Sequence, residues 1–177
     1  RPKSSAASDV YKRQLLRENI SFVVVCYKSS LALKSLLLSI PKESEVILVD
    51  NSQDKETEEI ANLYDCILIQ NQENLGYGAA CNIGSKKASG SYLFFINPDS
   101  KLMPETLSEL IKAANNYPEA SAFNPKIIDQ SGKQNFKRRS VLLPKSEWMS
   151  RKSPSFDRDV SVLSGAAIFI KLSLIHI

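Results

Sequence analysis

The sequence predicts an α/β fold: a mostly parallel sheet with helices on both faces. Three observations carry that expectation. Apolar runs without alternation, "ISFVVVC" (Ile20–Cys26), "EVILVD" (Glu45–Asp50) and "SYLFFI" (Ser91–Ile96), suit strands covered on both sides. Segments with helical apolar periodicity lie between them. The two kinds alternate at short spacing, which calls for right-handed crossovers into one parallel sheet.

In chain order, the strand Ile20–Cys26 leads to "LALKSLLLSI" (Leu31–Ile40), an apolar-faced helix closed by Pro41. The strand Glu45–Asp50 leads to "DKETEEIANLY" (Asp54–Tyr64), a helix whose first-turn acids favour its dipole. "CILIQ" (Cys66–Gln70) is a third strand, and "GYGAACNIGSKKA" (Gly76–Ala88) a helix rich in small residues. After the fourth strand, Pro104 opens a helix with Leu107, Leu110, Ile111 and Ala114 on one stripe. Beyond Tyr117 the pattern is mixed. "SAFNPKIID", "KQNFKRRS" and "SVLSGAAIFIK" read as strands with no helix between them, and Leu143–Asp159 reads as a long loop. The Lys137–Arg139 cluster reads as a solvated face.

The two ends read as foreign. "DVYKRQ" (Asp9–Gln14) is encoded by GATGTGTATAAGAGACAG, and the reverse complement of that string encodes "LSLIHI" (Leu172–Ile177). The string resembles a transposon adapter used to build sequencing libraries. The expected domain is therefore 15–171, an internal fragment of a longer protein, with residues 1–14 and 172–177 as adapter-derived tails. Without Arg1, Lys3, Lys12, Arg13 and Asp9, the net charge falls from +4 to +1. The basic balance is then no argument for nucleic acid. His176 also leaves, so no histidine chemistry is expected. Cys26, Cys66 and Cys81 lack metal spacing and read as reduced core residues of an intracellular protein. No apolar run approaches the roughly 18 to 20 residues that span a bilayer.

Ligands of open parallel sheets bind beyond the carboxyl ends of the strands. Those ends are polar here: Cys26-Tyr27-Lys28, Asp50-Asn51-Ser52, "NQENLGYG" (Asn71–Gly78) and Asn97-Pro98-Asp99. In "FFINPDS" (Phe94–Ser100), Pro98 stops the ladder and Asp99 follows in a turn, either as turn chemistry or as a ligand. Gly76-Tyr77-Gly78 does not extend to GxGxxG, and no GxxxxGK[ST] occurs, which disfavours dinucleotide and P-loop readings. The helix start at Gly76 either meets an anion through free N–H groups or needs small residues for packing.

The series "FVVVCYK", "EVILVDNSQD", "QNQENLGYGAACNIGSKKASGSYLFFINPDS" and "VLSGAAIFIK" resembles family-two glycosyltransferases of the GT-A fold, a Rossmann-like architecture for nucleotide-diphospho-sugar transferases. The closest likeness is to their rhamnosyltransferase-like branch. The resemblance implies an inverting, metal-assisted transfer from dTDP-rhamnose or a UDP-sugar to a polysaccharide or lipid-linked acceptor. It further implies a bacterial enzyme of cell-surface polysaccharide biosynthesis, working in the cytoplasm or at the inner face of the membrane. Carried over by position, Cys26 and Tyr27 line the nucleotide pocket, and Asp50 accepts from the pyrimidine N3–H. Asn74, Gly76 and Asn82 shape the donor pocket. Asp99 is the ligand of Mg²⁺ or Mn²⁺, with Asn97 standing where the family's motif has its first acid. The family's catalytic base is expected beyond Lys171, since Asp157 and Asp159 precede the "SGA" strand. The alternatives are a sugar-nucleotide nucleotidyltransferase, for which a Gly-rich basic loop after the first strand is missing, and a non-catalytic sugar-nucleotide-binding domain.

Overall fold

The computed structural model describes residues 20–129, 131–135 and 163–172. The Lys137–Arg139 cluster, the expected loop Leu143–Asp159 and both expected tails apart from Leu172 lie outside those residues.

Four parallel strands form the centre: β1 (Ile20–Cys26), β2 (Glu45–Asp50), β3 (Ile67–Gln70) and β4 (Tyr92–Ile96). Four helices follow them in turn: α1 (Ser30–Leu37), α2 (Lys55–Leu63), α3 (Tyr77–Ser85) and α4 (Thr106–Asn116). Two further strands, β5 (Ala122–Phe123) and β8 (Ala167–Lys171), complete a six-stranded sheet in the order β3-β2-β1-β4-β8-β5. β8 runs antiparallel to both neighbours. β6 (Ile127–Ile128) and β7 (Gln134–Asn135) pair separately.

The absence of alternation in the central strands has its reason in two cores. Phe22, Val24, Leu48 and Phe94 face α1, α2 and α4, whose buried residues include Leu33, Leu36, Ile60, Leu107 and Leu110. Val23, Ile47, Val49, Leu93 and Phe95 face α3 through Ala80 and Cys81. Phe94 and Phe169 meet edge to face at 5.8 Å between ring centres, which locks β8 onto β4 from the first core.

Several boundaries differ from the expectations. α1 begins at Ser30 and ends at Leu37, with a tighter turn (Ser39 N–H to Leu36 O, 2.8 Å) carrying the chain to Pro41. α4 begins at Thr106 rather than Pro104, because Pro104 sits in a turn that Thr106 closes by accepting from Met103 N–H at 3.2 Å. The final strand starts at Ala167, since Ser164–Ala166 is spent on a turn. Helix α2 holds nearly to expectation, with Asp54 outside it as the cap that accepts from Glu56 N–H.

Among glycines, Gly84 decides the packing of α3. A Cβ there would stand 2.4 Å from Val23 Cγ1 and 3.0 Å from Val49 Cγ2. Gly84 thus lets the helix approach β1 and β2 closely.

Candidate functional site

The strand order reverses beside β1. From β1 the chain adds β2 and then β3 on one side, and returns to place β4 on the other. An open parallel sheet forms its ligand crevice at that reversal, beyond the carboxyl ends of the two diverging strands. Here those ends carry Tyr27-Lys28 after β1 and Asn97-Pro98-Asp99 after β4.

Asp50, at the end of β2, is fully buried. Its Oδ1 accepts from Ser52 N–H at 2.9 Å and from Ser52 Oγ at 2.6 Å, and its Oδ2 accepts from Asp54 N–H at 2.7 Å. These donors use most of the roughly four acceptor positions that a carboxylate offers. Ser52 Oγ then accepts from Lys28 N–H at 3.0 Å. The link ties the end of β2 to the turn after β1, where Lys28 holds a left-handed φ of 50°. Asp50 therefore anchors the lip of the crevice whatever else it does.

A chain of amides shapes the loop after β3. Asn51 Nδ2 donates to Asn74 Oδ1 at 3.2 Å, and Asn71 Nδ2 donates to Asn51 Oδ1 at 2.7 Å. Asn74 Oδ1 also accepts from Gly76 N–H at 3.0 Å. Gly76 has a φ of 81° and open space around a would-be Cβ, so it is needed for backbone conformation and not for packing. Its N–H is committed to Asn74, which weakens the case for an anion at that amide. The sequence marks Asn51 and Asn71 as polar strand ends but assigns neither a role. Their signal was position: each follows one of the register partners Asp50 and Gln70.

The other expected residues fall into three groups. Tyr27 is half exposed at the mouth, with Lys28 Nζ 5.6 Å from its ring centre. Asn97 and the exposed Asp99 also reach the mouth, and the Asp99 carboxylate makes no hydrogen bond or ion pair with a described residue. Cys26 is fully buried in the first core, and its carbonyl is taken by Asn51 N–H at 2.9 Å, so it offers a wall and little polar contact. Asn82 is exposed on α3, but five residues past the helix start, about 8 Å further from the mouth at the ordinary helical rise.

Tyr77 was not singled out from the sequence, yet it closes the mouth. Its phenol donates to Gly165 O at 2.8 Å, joining the start of α3 to the turn before β8. Burial, with Cys81 beside it, pushes this phenol above its ordinary pKa. Burial likewise pushes the Cys26 thiol up to about 12, the Cys66 thiol up to about 11, and Cys81 upward. These three free cysteines stay neutral near pH 7 and supply no thiolate nucleophile.

No three acidic, cysteine or histidine side chains among the described residues converge to cage a cation. A single exposed, unpartnered carboxylate does suit a hard cation that arrives with phosphate oxygens, as Mg²⁺ commonly does.

An α/β domain with a polar crevice at a strand-order reversal, lipped by a buried and an exposed carboxylate, has its candidate site where open parallel sheets bind their ligands. The chain belongs to glycosyl transferase family 2, whose pattern matches residues 21–175. Among curated relatives, it is 28% identical over 126 residues to the low-salt glycan biosynthesis hexosyltransferase Agl10 of Haloferax volcanii, covering 68% of this chain and 40% of that protein. It is 29% identical over 124 residues to poly-beta-1,6-N-acetyl-D-glucosamine synthase of Staphylococcus aureus, covering 64% and 30%. The chain thus spans less than half the length of these relatives. Its fold is similar to that of S. aureus TarS 1-349 in complex with UDP-GlcNAc (TM-score 0.65, 22% identity, 89% of this chain and 46% of that one). The mannosyltransferase PcManGT of Pyrobaculum calidifontis, solved with GDP-Man and Mn²⁺, has a TM-score of 0.64 at 15% identity, over 96% and 53%. Both likenesses identify the sheet as the GT-A architecture.

Proposed function

We propose that this chain is the donor-binding portion of a glycosyltransferase that moves a sugar from a nucleoside diphosphate to an acceptor hydroxyl with inversion. The observation that carries this reading is the crevice at the strand-order reversal, with Asp99 exposed and unpartnered on its β4 side. The donor is dTDP-rhamnose or a UDP-sugar, and the acceptor a polysaccharide or a lipid-linked saccharide. Among the described residues no helix is long and apolar enough to cross a membrane.

The base of the nucleotide lies toward β2 and β1, beside Tyr27. Asp50 is fully buried, so it would accept from a pyrimidine N3–H only once the lip held by Ser52 and Lys28 opens. Asn74 and Gly76 set the course of the loop that covers this side. Asp99, with Asn97 beside it, would hold Mg²⁺ or Mn²⁺ jointly with the diphosphate. The cation would neutralise charge on the leaving diphosphate. With one protein carboxylate, Asp99 binds the cation well only when the phosphates contribute.

Titration of Mn²⁺ with and without UDP or dTDP tests this reading directly. Tight Mn²⁺ binding should need the nucleotide and should disappear in Asp99→Ala. Equal Mn²⁺ affinity with and without nucleotide, or an unchanged Asp99→Ala, would sink the assignment of Asp99.

A further inference from the structure

We propose that Tyr77 is a positioning residue that latches the Ser164–Ala166 turn across the crevice, and that this turn is the wall against which the sugar of the donor rests. The inference builds on the nucleotide-sugar reading above and adds which part of the chain meets the sugar half.

Three contacts hold the turn. Asn124, just after β5, donates through Nδ2 to Ser164 O at 3.1 Å and to Ala167 O, while its Oδ1 accepts from Ser164 N–H. Asn97 N–H, at the end of β4, donates to Ala166 O at 3.0 Å. Tyr77 O–H donates to Gly165 O at 2.8 Å. The first two come from β5 and β4, both on the same side of the sheet as β8. Tyr77 comes from α3, which packs on β1, β2 and β4 in the second core. Its hydroxyl joins the turn to the start of α3, beyond the ends of the strands.

The order of groups across the strand ends says what the turn would face. Asp50 stands at β2, Tyr27 at β1, Asp99 at β4 and Ser164–Ala166 at the start of β8. A nucleotide sugar laid with its base at β2 and β1 and its diphosphate at Asp99 has its sugar left for the β4–β8 end. Gly165 is exposed there, and its carbonyl direction is set by the phenol. A phenol at or above its ordinary pKa stays protonated through neutral pH, so the donor is constant. Removing the hydroxyl frees one side of the sugar wall and leaves Asp50, Tyr27 and Asp99 as they were.

The test is Tyr77→Phe in the full chain, titrated calorimetrically in Mn²⁺ with UDP, dTDP, UDP-GlcNAc and dTDP-rhamnose. For the base that the wild type binds, the nucleotide sugar should weaken roughly ten-fold while the free diphosphate changes less than about two-fold. Retained diphosphate binding also shows that the variant is folded. Equal weakening of both ligands makes Tyr77 a general structural contact and overturns the latch, as does no change in either. In those cases the nucleotide-sugar reading survives. If the wild type binds none of the four, that reading falls and the latch falls with it.

Discussion

Asp50 is the residue on which the lip of the crevice most depends. Three local donors converge on its buried carboxylate. Hydrogen bonds to charged groups contribute about 1.5–3 kcal/mol each, less what water recovers once the acceptor is gone. Asp50→Ala should therefore cost roughly 2–4 kcal/mol in urea unfolding, a burial-dependent loss at the upper end of single substitutions. Asp50→Asn should cost less, because one acceptor oxygen remains. A loss below about 1 kcal/mol for Asp50→Ala would mean that the turn Asp50–Asp54 holds itself together. Gly84 supplies a steric counterpart. The Cβ of Gly84→Ala meets β-branched Val23 and Val49 at 2.4 and 3.0 Å, and the valines have little rotamer freedom to withdraw. Overpacking of about 1–3 kcal/mol should exceed the roughly 1 kcal/mol that alanine gains in helix propensity, so thermal melting should fall.

Elements are joined at the opposite end of the sheet by Glu45. It accepts from Ser21 Oγ of β1, and from Ser89 N–H at 2.9 Å and Ser89 Oγ at 2.8 Å in the connection before β4. Ser21 Oγ accepts from Gly90 N–H at 2.8 Å in turn. Partial burial works to raise the Glu45 pKa, but the hydrogen bonds from Ser21 and Ser89 outweigh it and hold the carboxyl below the ordinary glutamate value. A depressed folded-state pKa contributes stability above the unfolded value and loses it as pH falls through the folded one. Wild-type stability should thus fall more steeply on acidification below about pH 4.5 than that of Glu45→Gln, whose curve lacks this component. Parallel curves would remove Glu45 from the acid response. At the start of α2, Asp54 accepts from Glu56 N–H and from Thr57 Oγ1, both at 3.1 Å. Asp54→Ala should cost about 1 kcal/mol, as the loss of a helix cap ordinarily does.

At the scale of the whole molecule, ligand binding should be visible as stability. A ligand that binds only the folded chain raises its unfolding free energy with the logarithm of concentration over Kd. UDP or dTDP with Mn²⁺ should raise Tm in the wild type, and the Mn²⁺-dependent part should vanish in Asp99→Ala. A rise that persists in full in Asp99→Ala would place the cation elsewhere. The sheet that carries the site was largely legible: four apolar runs, the helices between them, and the α4 stripe of Leu107, Leu110, Ile111 and Ala114, all of it buried. The lip residues were legible by position, as polar residues following buried strands. The bonds among them were not, because Asn51, Asn71 and Tyr77 look like ordinary loop or helix residues until distant segments meet.

Local chemistry belongs to the sequence. Apolar runs that bury on both faces must become central strands, Asp54 before acids must cap a helix, and Asp99 after Pro98 must leave the ladder. Each follows from forces acting over a few residues. Tertiary structure alone decided the antiparallel insertion of β8 beside β4, the bond from Lys28 N–H to Ser52 Oγ across two strand ends, and the phenol of Tyr77 on Gly165. These join segments up to 88 residues apart. Their partners are chosen by which strands neighbour each other in the sheet, and no local pattern specifies that order.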